Sequence, residues 1–255
     1  MTNPIFFAAA AELELLAEGS EFVLDGAEGR HATTVKRLAP GEQLDLVDGA
    51  GLRLSGTVTA ASPGELRVRI ERVSQEPAPA HRLVLVQALA KGDRDELAIE
   101  AATELGIDGV IPWQAERSIV RWKGERAAKS LAKWRATVRT AAKQARRARV
   151  PEVSEAVDSA TLAALVAAAP LAVLLHEEAP HPLEAAVERQ RGRLEQQPGA
   201  EILLIVGPEG GISVREVELL TSAGAQLARL GPHVLRSSTA GPAAVAVLST
   251  PLGRW

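Results

Sequence analysis

The sequence contains no cysteine, and no apolar run in its 255 residues approaches the roughly 20 that a membrane-spanning helix requires. The absence of cysteine excludes disulfides, thiolate metal sites and thiol nucleophiles. The N-terminal residues also lack the basic and then apolar pattern of a secretory signal peptide. Because 46% of the residues are hydrophobic and 24% are charged, the composition is that of an ordinary globular protein. We therefore expect a cytoplasmic protein with one large domain or two smaller ones.

Three common functional signatures are missing as well. No GxGxxG follows the first strand pattern of the α/β region, and neither GxxxxGK[ST] nor GxSxG occurs. Dinucleotide, P-loop and esterase functions therefore lack their usual motifs. The segment from His176 to His181 superficially resembles a zinc-protease helix, but its histidines are five residues apart and Pro180 would break the helix. We therefore expect no metal site.

Positive charge is concentrated in one segment, although the net charge is only −3. Between Glu116 and Arg149 there are twelve Lys or Arg residues and two acids, which gives about +10 there and about −13 elsewhere. A merely solvated face would mix the two signs, so this excess predicts a polyanionic partner. Trp113, Trp122 and Trp134 lie in or beside the segment. Each ring either stacks on a nucleobase or anchors the core. When each tryptophan is considered separately, the core role is favoured.

A polar, Pro-rich break at residues 75–80 divides the chain into two regions. Residues 1–73 carry short strand signals at 22–24, 43–47, 52–58 and 66–73, with a short, basic-ended helix at 31–38. This region predicts a small β-barrel or sandwich. From residue 80 to 255, strands alternate with helices, which predicts a parallel α/β domain. Its predicted strands are 83–89, 110–113, 171–175, 202–206 and 226–230, and its predicted helices are 93–105, 124–149, 158–168, 182–194, 213–223 and 239–248.

The most informative stretch is a glycine turn between a strand and a helix. Ile202–Val206 is a continuous aliphatic run, typical of a strand buried on both faces. It leads into Gly207-Pro208-Glu209-Gly210-Gly211, after which Ser213 and Glu216 have the spacing of a helix capping box. Such a corner commonly binds ligands. Because Glu209 would repel a phosphate, we expect a ligand with hydroxyls, an amine or a positive centre. The alternative is a tight connection that binds nothing.

Two further loops leave predicted strands at the same edge of the sheet. The first begins at Leu175-His176-Glu177, and the second runs from Leu230 to Gly241. Arg236 in the second loop would pair with a phosphate or stabilise a developing oxyanion. A plain polar loop and an ordinary surface arginine are the alternatives.

Motifs along the whole chain agree in order and spacing with one known family. They are His31 with Val35-Lys36-Arg37, Lys91-Gly92-Asp93-Arg94, Glu104-Leu105-Gly106, Glu116-Arg117-Ser118, Gln144 with Arg147, Val206 to Gly211, Leu230-Gly231, Val234-Leu235-Arg236 and Thr239-Ala240. On these residues the chain resembles the RsmE family of 16S ribosomal RNA (uracil-N3) methyltransferases, of the SPOUT superfamily. Two departures are Ser238, where many members carry Glu, and Ala142-Lys143, in a turn that is often more acidic.

The resemblance implies an N-terminal PUA-like β-barrel over residues 1–73 and a C-terminal SPOUT α/β domain over residues 80–255 with a deep trefoil knot. It also implies a homodimer, S-adenosylmethionine as the cofactor, and 16S ribosomal RNA or the small ribosomal subunit as the partner. The cofactor residues implied are Leu175, His176, Glu177, Val206, Gly207, Pro208, Glu209, Gly210, Gly211, Leu230, Gly231, Val234, Leu235 and Ser238. The RNA-binding residues are His31, Lys36, Arg37, Arg117, Lys143, Gln144, Arg146 and Arg147.

Arg236 is then the candidate catalytic residue, which would stabilise charge on a uracil carbonyl oxygen as the N3 proton leaves. Four questions stay open: the nucleotide modified, the general base, the effect of Ser238, and whether free RNA or an assembled subunit is the substrate. A non-catalytic RNA-binding or ribosome-assembly factor is the main alternative. A Rossmann-type oxidoreductase is disfavoured by the missing dinucleotide motif.

Overall fold

The computed structural model describes residues 3–255, which form two compact units. The first unit consists of the chain up to Ala78 together with Ala142–Val150, and the second of Pro79–Ala141 and Pro151–Trp255. Met1 and Thr2, the start of the predicted first domain, lie outside the described residues. Residues 142–150 had been assigned by sequence to the second domain, but they pack with the first unit.

The first unit is built on one curled, half-barrel sheet of five strands in the order β1-β3-β4-β5-β2. Only the β1–β3 pair is parallel, and the remaining pairs are antiparallel. Register shifts between Ser55 and Gly56 and between Val58 and Ala60 interrupt the long β4–β5 pair, and such bulges bend a sheet. The strands are β1 (Ile5–Phe7), β2 (Glu21–Leu24), β3 (Gln43–Val47), β4 (Leu52–Ser62) and β5 (Glu65–Gln75).

Helical segments of the first unit are short. They are α1 (Ala10–Leu13) and α2 (Gly26–Arg30), which continues as a π-helix over His31–Val35. The strand predicted at 66–73 lies within β5, where Leu66, Val68 and Ile70 are buried while the charged residues between them are exposed. With Leu44, Leu54 and other apolar side chains they form the core of this unit.

The second unit contains a six-stranded sheet in which every neighbouring pair is parallel, in the order β11-β9-β10-β6-β7-β8. The strands are β6 (Arg82–Ala88), β7 (Gly109–Trp113), β8 (Glu152–Val153), β9 (Leu171–Leu175), β10 (Glu201–Val206) and β11 (Gln226–Ala228). The prediction of a parallel α/β sheet is confirmed. β10 pairs on both sides and buries Ile202–Val206, as the unbroken aliphatic run predicted.

Six helices accompany this sheet: α3 (Arg94–Glu104), α4 (Glu125–Gln144), α5 (Ser159–Ala168), α6 (Glu184–Glu195), α7 (Val214–Ser222) and α8 (Ser237–Ser249). The predicted capping box is present at α7, where Ser213 and Glu216 bond reciprocally. The prediction that α4 extends to Arg149 is wrong. Arg146 adopts a left-handed conformation with φ of 58°, and the Arg147 amide donates to the carbonyl of Ala142. This C-terminal motif closes the helix before Pro151 is reached.

The three tryptophans of the basic segment are core residues. Trp113 and Trp134 are almost fully buried, and Trp122 is 8% exposed. Trp122 and Trp134 meet edge to face with ring centroids 5.1 Å apart, a favourable aromatic geometry. Base stacking by these rings is therefore not supported.

Candidate functional site

Three loops at the carboxyl ends of β9, β10 and β11 line one cavity of about 850 Å³ in the second unit. Because neighbouring parallel strands end at the same edge, the sheet itself brings the loops together. Arg236 and all the predicted cofactor residues except Ser238 line the cavity. The lining residues are Arg94, Arg117, Leu175, His176, Glu177, Glu178, Val206, Gly207, Pro208, Glu209, Gly210, Gly211, Ile212, Arg229, Leu230, Gly231, Pro232, His233, Val234, Leu235, Arg236, Ser237 and Ala240.

The middle loop requires its glycines for steric reasons. A Cβ at Gly207 would stand 2.5 Å from Cγ1 of Ile212, which is far closer than carbon atoms approach. Gly211 has a φ of 74°, a conformation that other residues adopt only with strain. The turn therefore presents bare backbone to the cavity, and a side chain at Gly207 would displace one of its walls.

Glu209 is bonded by this chain's own residues. Its Oε1 accepts from a guanidinium nitrogen of Arg94 at 3.1 Å and from the Lys91 backbone amide at 3.2 Å. The ion pair ties the segment before α3 to the glycine turn. Its Oε2 takes no hydrogen bond from residues 3–255. The sequence related this acid to a ligand, and the structure shows in addition that one of its oxygens holds the loop.

Ser237 is a site residue that the sequence did not single out. It is the first residue of α8 and is 7% exposed. Its Oγ lies buried beside the cavity without a hydrogen-bond partner in the part of the chain that the structure describes. Since an unsatisfied buried hydroxyl costs free energy, this atom is suited to a ligand that can bond to it. Ser238, which had been predicted instead, does not line the cavity.

Arg236 precedes α8 and is exposed at the cavity. Its backbone carbonyl accepts from the amides of Thr239 and Ala240, which fixes the main chain. The guanidinium makes no hydrogen bond or ion pair within residues 3–255. The side chain is thus positioned by its backbone and available to a ligand.

Arg117, predicted as an RNA contact, lies against the glycine turn. One guanidinium nitrogen donates to the Gly210 carbonyl at 3.2 Å. A Cβ at Gly210 would stand 3.3 Å from Cβ of Arg117, so the two segments are in close contact. Arg117 therefore forms part of the cavity wall.

The other predicted RNA-binding residues all belong to the first unit. They are His31, Lys36, Arg37, Lys143, Gln144, Arg146 and Arg147. Arg37 has a positive φ of 54°, and Arg146 has a φ of 58°. Such a backbone conformation is uncommon for residues other than glycine. Each of these two arginines lies just beyond the end of a helical segment.

Lys143 and His31 pack around Phe6. The Lys143 ammonium forms an ion pair with Glu28 and lies 4.9 Å from the centre of the Phe6 ring. His31 meets the same ring edge to face. Burial, reinforced by the positive charges of Lys143 and Lys36, lowers the pKa of His31 below its ordinary value. These contacts indicate that both side chains support the first unit from inside.

Some cavity residues left no usable signal in the sequence. Arg94, Ile212, Arg229, Ser237 and Ala240 also reach the cavity, and of these only Arg94 and Ala240 lay in a noted motif. No group of three or more His, Asp or Glu side chains within residues 3–255 is arranged to hold a metal ion. Over the same residues, none of the helices has both the length and the apolar character needed to cross a bilayer.

The parallel sheet, the three-loop cavity and the curled sheet before it are those of an RNA methyltransferase. A family described as "RNA methyltransferase domain" matches residues 76–249, and one described as "RNA methyltransferase PUA domain" matches residues 24–71. The chain is 44% identical over 241 residues to ribosomal RNA small subunit methyltransferase E of Mycobacterium bovis, a match that covers 93% of this chain and 89% of that protein. The chain belongs to the ribosomal RNA small subunit methyltransferase E family, which confirms the resemblance seen in its motifs.

Two solved structures share the fold over nearly their whole length. One is the family member from Neisseria gonorrhoeae bound to S-adenosylmethionine, with a TM-score of 0.80 and 27% identity. The other is a methyltransferase from Legionella pneumophila in complex with the same cofactor, with a TM-score of 0.79 and 27% identity. Each match covers 98% of this chain and 98% of the other.

Proposed function

We propose that this protein transfers a methyl group from S-adenosylmethionine to N3 of a specific uridine in 16S ribosomal RNA of the small ribosomal subunit. The observation that carries the proposal is the cavity of three loops, with Arg236 exposed at it, in a chain of this family. Two relatives of the same fold hold S-adenosylmethionine, according to their descriptions.

The residues of the cavity fit this cofactor. S-adenosylmethionine has hydroxyls, an amine and a carboxylate, and when bound it supplies a methyl group on a positively charged sulfur. The Ser237 hydroxyl and the remaining oxygen of Glu209 offer hydrogen-bond partners, and the glycine turn allows a ligand to lie against backbone. The glycine turn carries an acid, Glu209, and lacks the lysine of a P-loop, which disfavours a phosphate cradle at this turn. We assign cofactor binding to the predicted residues that line the cavity, with Ser237 in place of Ser238.

Arg236 acts on the base that accepts the methyl group. A uridine N3–H is a poor nucleophile, so the site must favour its deprotonated form. The Arg236 guanidinium would stabilise the negative charge that develops on a uracil carbonyl oxygen as the proton leaves. Because a base in a helical stack is out of reach, the target uridine has to be unstacked and placed at the cavity. Correct placement of donor and acceptor then supplies much of the rate.

The basic residues of the first unit would hold the RNA backbone. Lys36, Arg37, Arg146 and Arg147 are the proposed phosphate contacts, together with Arg117 beside the cavity. The contacts of Lys143 with Glu28 and of His31 with Phe6 suggest that these two side chains stabilise this surface, and the exposed Gln144 is a further proposed RNA contact.

The finer features implied by the resemblance are part of the same proposal. Residues 1–73 would form a PUA-like RNA-binding barrel, and residues 80–255 a SPOUT domain whose C-terminal segment forms a deep trefoil knot. The protein would work as a homodimer in the cytoplasm. The support is the family membership and the likeness to solved relatives over the whole chain. Light scattering in solution tests the dimer.

Two measurements test the function. Isothermal titration calorimetry with S-adenosylmethionine should show binding, and a protein that does not bind it would be a non-catalytic RNA-binding or ribosome-assembly factor instead. Mass spectrometry of 16S ribosomal RNA from a strain that lacks the protein should show one uridine without its N3-methyl group. If that RNA carries the same methylation as the parent strain, the proposed reaction is wrong.

A further inference from the structure

Glu216 is a fully buried acid that the proposed mechanism does not use. It lies in the first turn of α7 and is 0% exposed. A buried carboxylate is costly unless hydrogen bonds and charges around it compensate. Its surroundings therefore indicate why this position holds an acid.

The carboxylate joins three separate segments of the second unit. Its Oε1 accepts from the Glu116 backbone amide at 2.8 Å and from the Ser159 hydroxyl at 2.6 Å. Its Oε2 accepts from the Ser213 backbone amide at 3.2 Å. Behind Ser159, the indole nitrogen of Trp113 donates to the serine oxygen at 3.1 Å. The loop after β7, the start of α5 and the start of α7 thus meet at one side chain.

Each of the three bonds that Glu216 accepts points its hydrogen at the carboxylate. An indole N–H can only donate, so Ser159 accepts from Trp113 and gives its own hydrogen to Glu216. The two backbone amides also only donate. Within residues 3–255, Glu216 forms no ion pair with a lysine or arginine, and its place in the first turn of α7 exposes it to the positive end of the helix dipole.

The backbone segments that Glu216 holds lie on either side of the contact between Arg117 and Gly210 in the cavity wall. Glu116 directly precedes Arg117, which donates to the Gly210 carbonyl. Ser213 follows the same glycine turn by two residues beyond Gly211. One carboxylate therefore fixes the backbone on both sides of the contact between Arg117 and Gly210.

We infer that Glu216 is a positioning residue of the cofactor site. Its carboxylate holds the Arg117 segment against Gly210 and Gly211, so that this wall of the cavity keeps a single geometry. Glu216 touches neither the cofactor nor the RNA and acts through Arg117 and the glycine turn. The inference rests on the proposed function, because the ligand of the cavity is taken to be S-adenosylmethionine.

Glu216→Gln is the sharpest perturbation, because it keeps the shape of the side chain and replaces one acceptor oxygen by an NH2 donor. In either orientation of the amide, that group faces a backbone N–H or the Ser159 hydroxyl, which all donate. The variant thus loses at least one bond of the cluster and gains a repulsive contact. Ser159→Ala is the milder companion, since it removes one bond and leaves both backbone amides on the carboxylate.

The experiment measures the Kd for S-adenosylmethionine by calorimetry and the Tm of each variant. We expect Glu216→Gln to raise the Kd about 10-fold or more, since about 1.4 kcal/mol, within the range for a buried donor left unsatisfied, is a tenfold change in a binding constant. Ser159→Ala should raise it less. The matched control is Arg254→Ala, which breaks a half-buried ion pair with Asp108 in the same unit. It should lower the Tm and leave the Kd unchanged, because neither residue lines the cavity.

A double variant tests whether Glu216 acts through Arg117. Arg117→Ala alone should weaken cofactor binding, and adding it to Glu216→Gln should change the Kd by less than the product of the two single effects. Independent, multiplicative effects would overturn the inference, as would a Tm loss in Glu216→Gln and Ser159→Ala with an unchanged Kd. If Glu216→Gln does not fold, Ser159→Ala with Arg117→Ala gives the same comparison. Failure of the unmodified protein to bind S-adenosylmethionine would instead refute the proposed function.

Discussion

Replacement of Arg236 by alanine should separate the chemical step from cofactor binding and from folding. The side chain is exposed and makes no hydrogen bond or ion pair within residues 3–255, and the main-chain bonds at this residue use its carbonyl oxygen. Alanine keeps that carbonyl. The fold therefore loses almost nothing, and the change falls on the group that would face the uracil oxygen.

The expected effect of Arg236→Ala on kcat is much larger than its expected effect on the free energy of unfolding. A surface substitution without partners changes the free energy of unfolding by about 0.5 kcal/mol or less. Removing one preorganised donor from a developing oxyanion lowers kcat by roughly 100- to 1000-fold, or about 2.7–4 kcal/mol. We therefore expect Arg236→Ala to be almost inactive, with an almost unchanged Tm and a Kd for S-adenosylmethionine close to that of the parent protein.

The assay follows transfer of a labelled methyl group to small-subunit ribosomal RNA at saturating cofactor. Arg236→Lys is the matched control, since it keeps the charge but lacks the planar fork of the guanidinium. Its activity should lie between those of the parent protein and Arg236→Ala. A kcat for Arg236→Ala within about threefold of the parent value would remove Arg236 from the mechanism. A Kd that rises in parallel with the loss of activity would instead make it a cofactor ligand.

Three further predictions concern stability, pH and RNA binding. Arg254→Ala should lower the free energy of unfolding by about 1.5–3 kcal/mol in denaturant titrations, because it removes the charge-assisted hydrogen bonds from its guanidinium to the half-buried carboxylate of Asp108. The lowered pKa of His31 means that the unfolded chain takes up a proton first. Stability in thermal unfolding should thus fall as the pH drops below about 6.5, and less so in His31→Gln. Reversing Arg146 and Arg147 to glutamate should weaken RNA binding. The slope of the logarithm of the binding constant against log salt concentration should become shallower by about 0.7–0.9 for each phosphate that the protein no longer neutralises.

Each of these predictions has a clear contrary result. A loss of stability below about 1 kcal/mol in Arg254→Ala would be the size expected for an exposed ion pair, such as that of Arg191 with Glu188. It would refute the larger contribution expected from the pair of Arg254 and Asp108. Identical pH profiles with and without His31 would show that another group titrates. If RNA affinity and its salt dependence stay unchanged after reversal of both arginines, Arg146 and Arg147 do not contact the RNA backbone.

Regular patterns made much of the second unit predictable. The aliphatic run at β10 and the capping box at α7 involve neighbours in sequence, and local spacing is enough to recognise them. Likewise, parallel strands must end at a common edge, so the three loops could be expected to converge. Short elements such as β1 and β8 were missed, because two or three residues give no measurable period.

Long-range partners account for what the sequence could not indicate. Glu209 was recognised as unusual in a glycine turn, yet its bond to Arg94 joins residues far apart in the chain. The end of α4 depends on a left-handed arginine at a position where glycine is the usual signal. Ser237 differs from Ser238 only in the direction its side chain takes from the helix start, so residue type could not distinguish them.

The first unit is built from two separated stretches of chain, and this affects the timing of its folding during synthesis. Ala148 closes a small apolar cluster with Ile5, Phe7 and Val47, and the Arg149 guanidinium bonds to the carbonyl of Glu76. At roughly 5–20 residues per second, a ribosome needs about 4–14 s to extend the chain from residue 78 to residue 150. During that interval all five strands of the first unit have been synthesised, but the segment that packs against Ile5, Phe7 and Val47 has not. The N-terminal unit therefore begins first and is finished only after much of the second unit's chain has emerged.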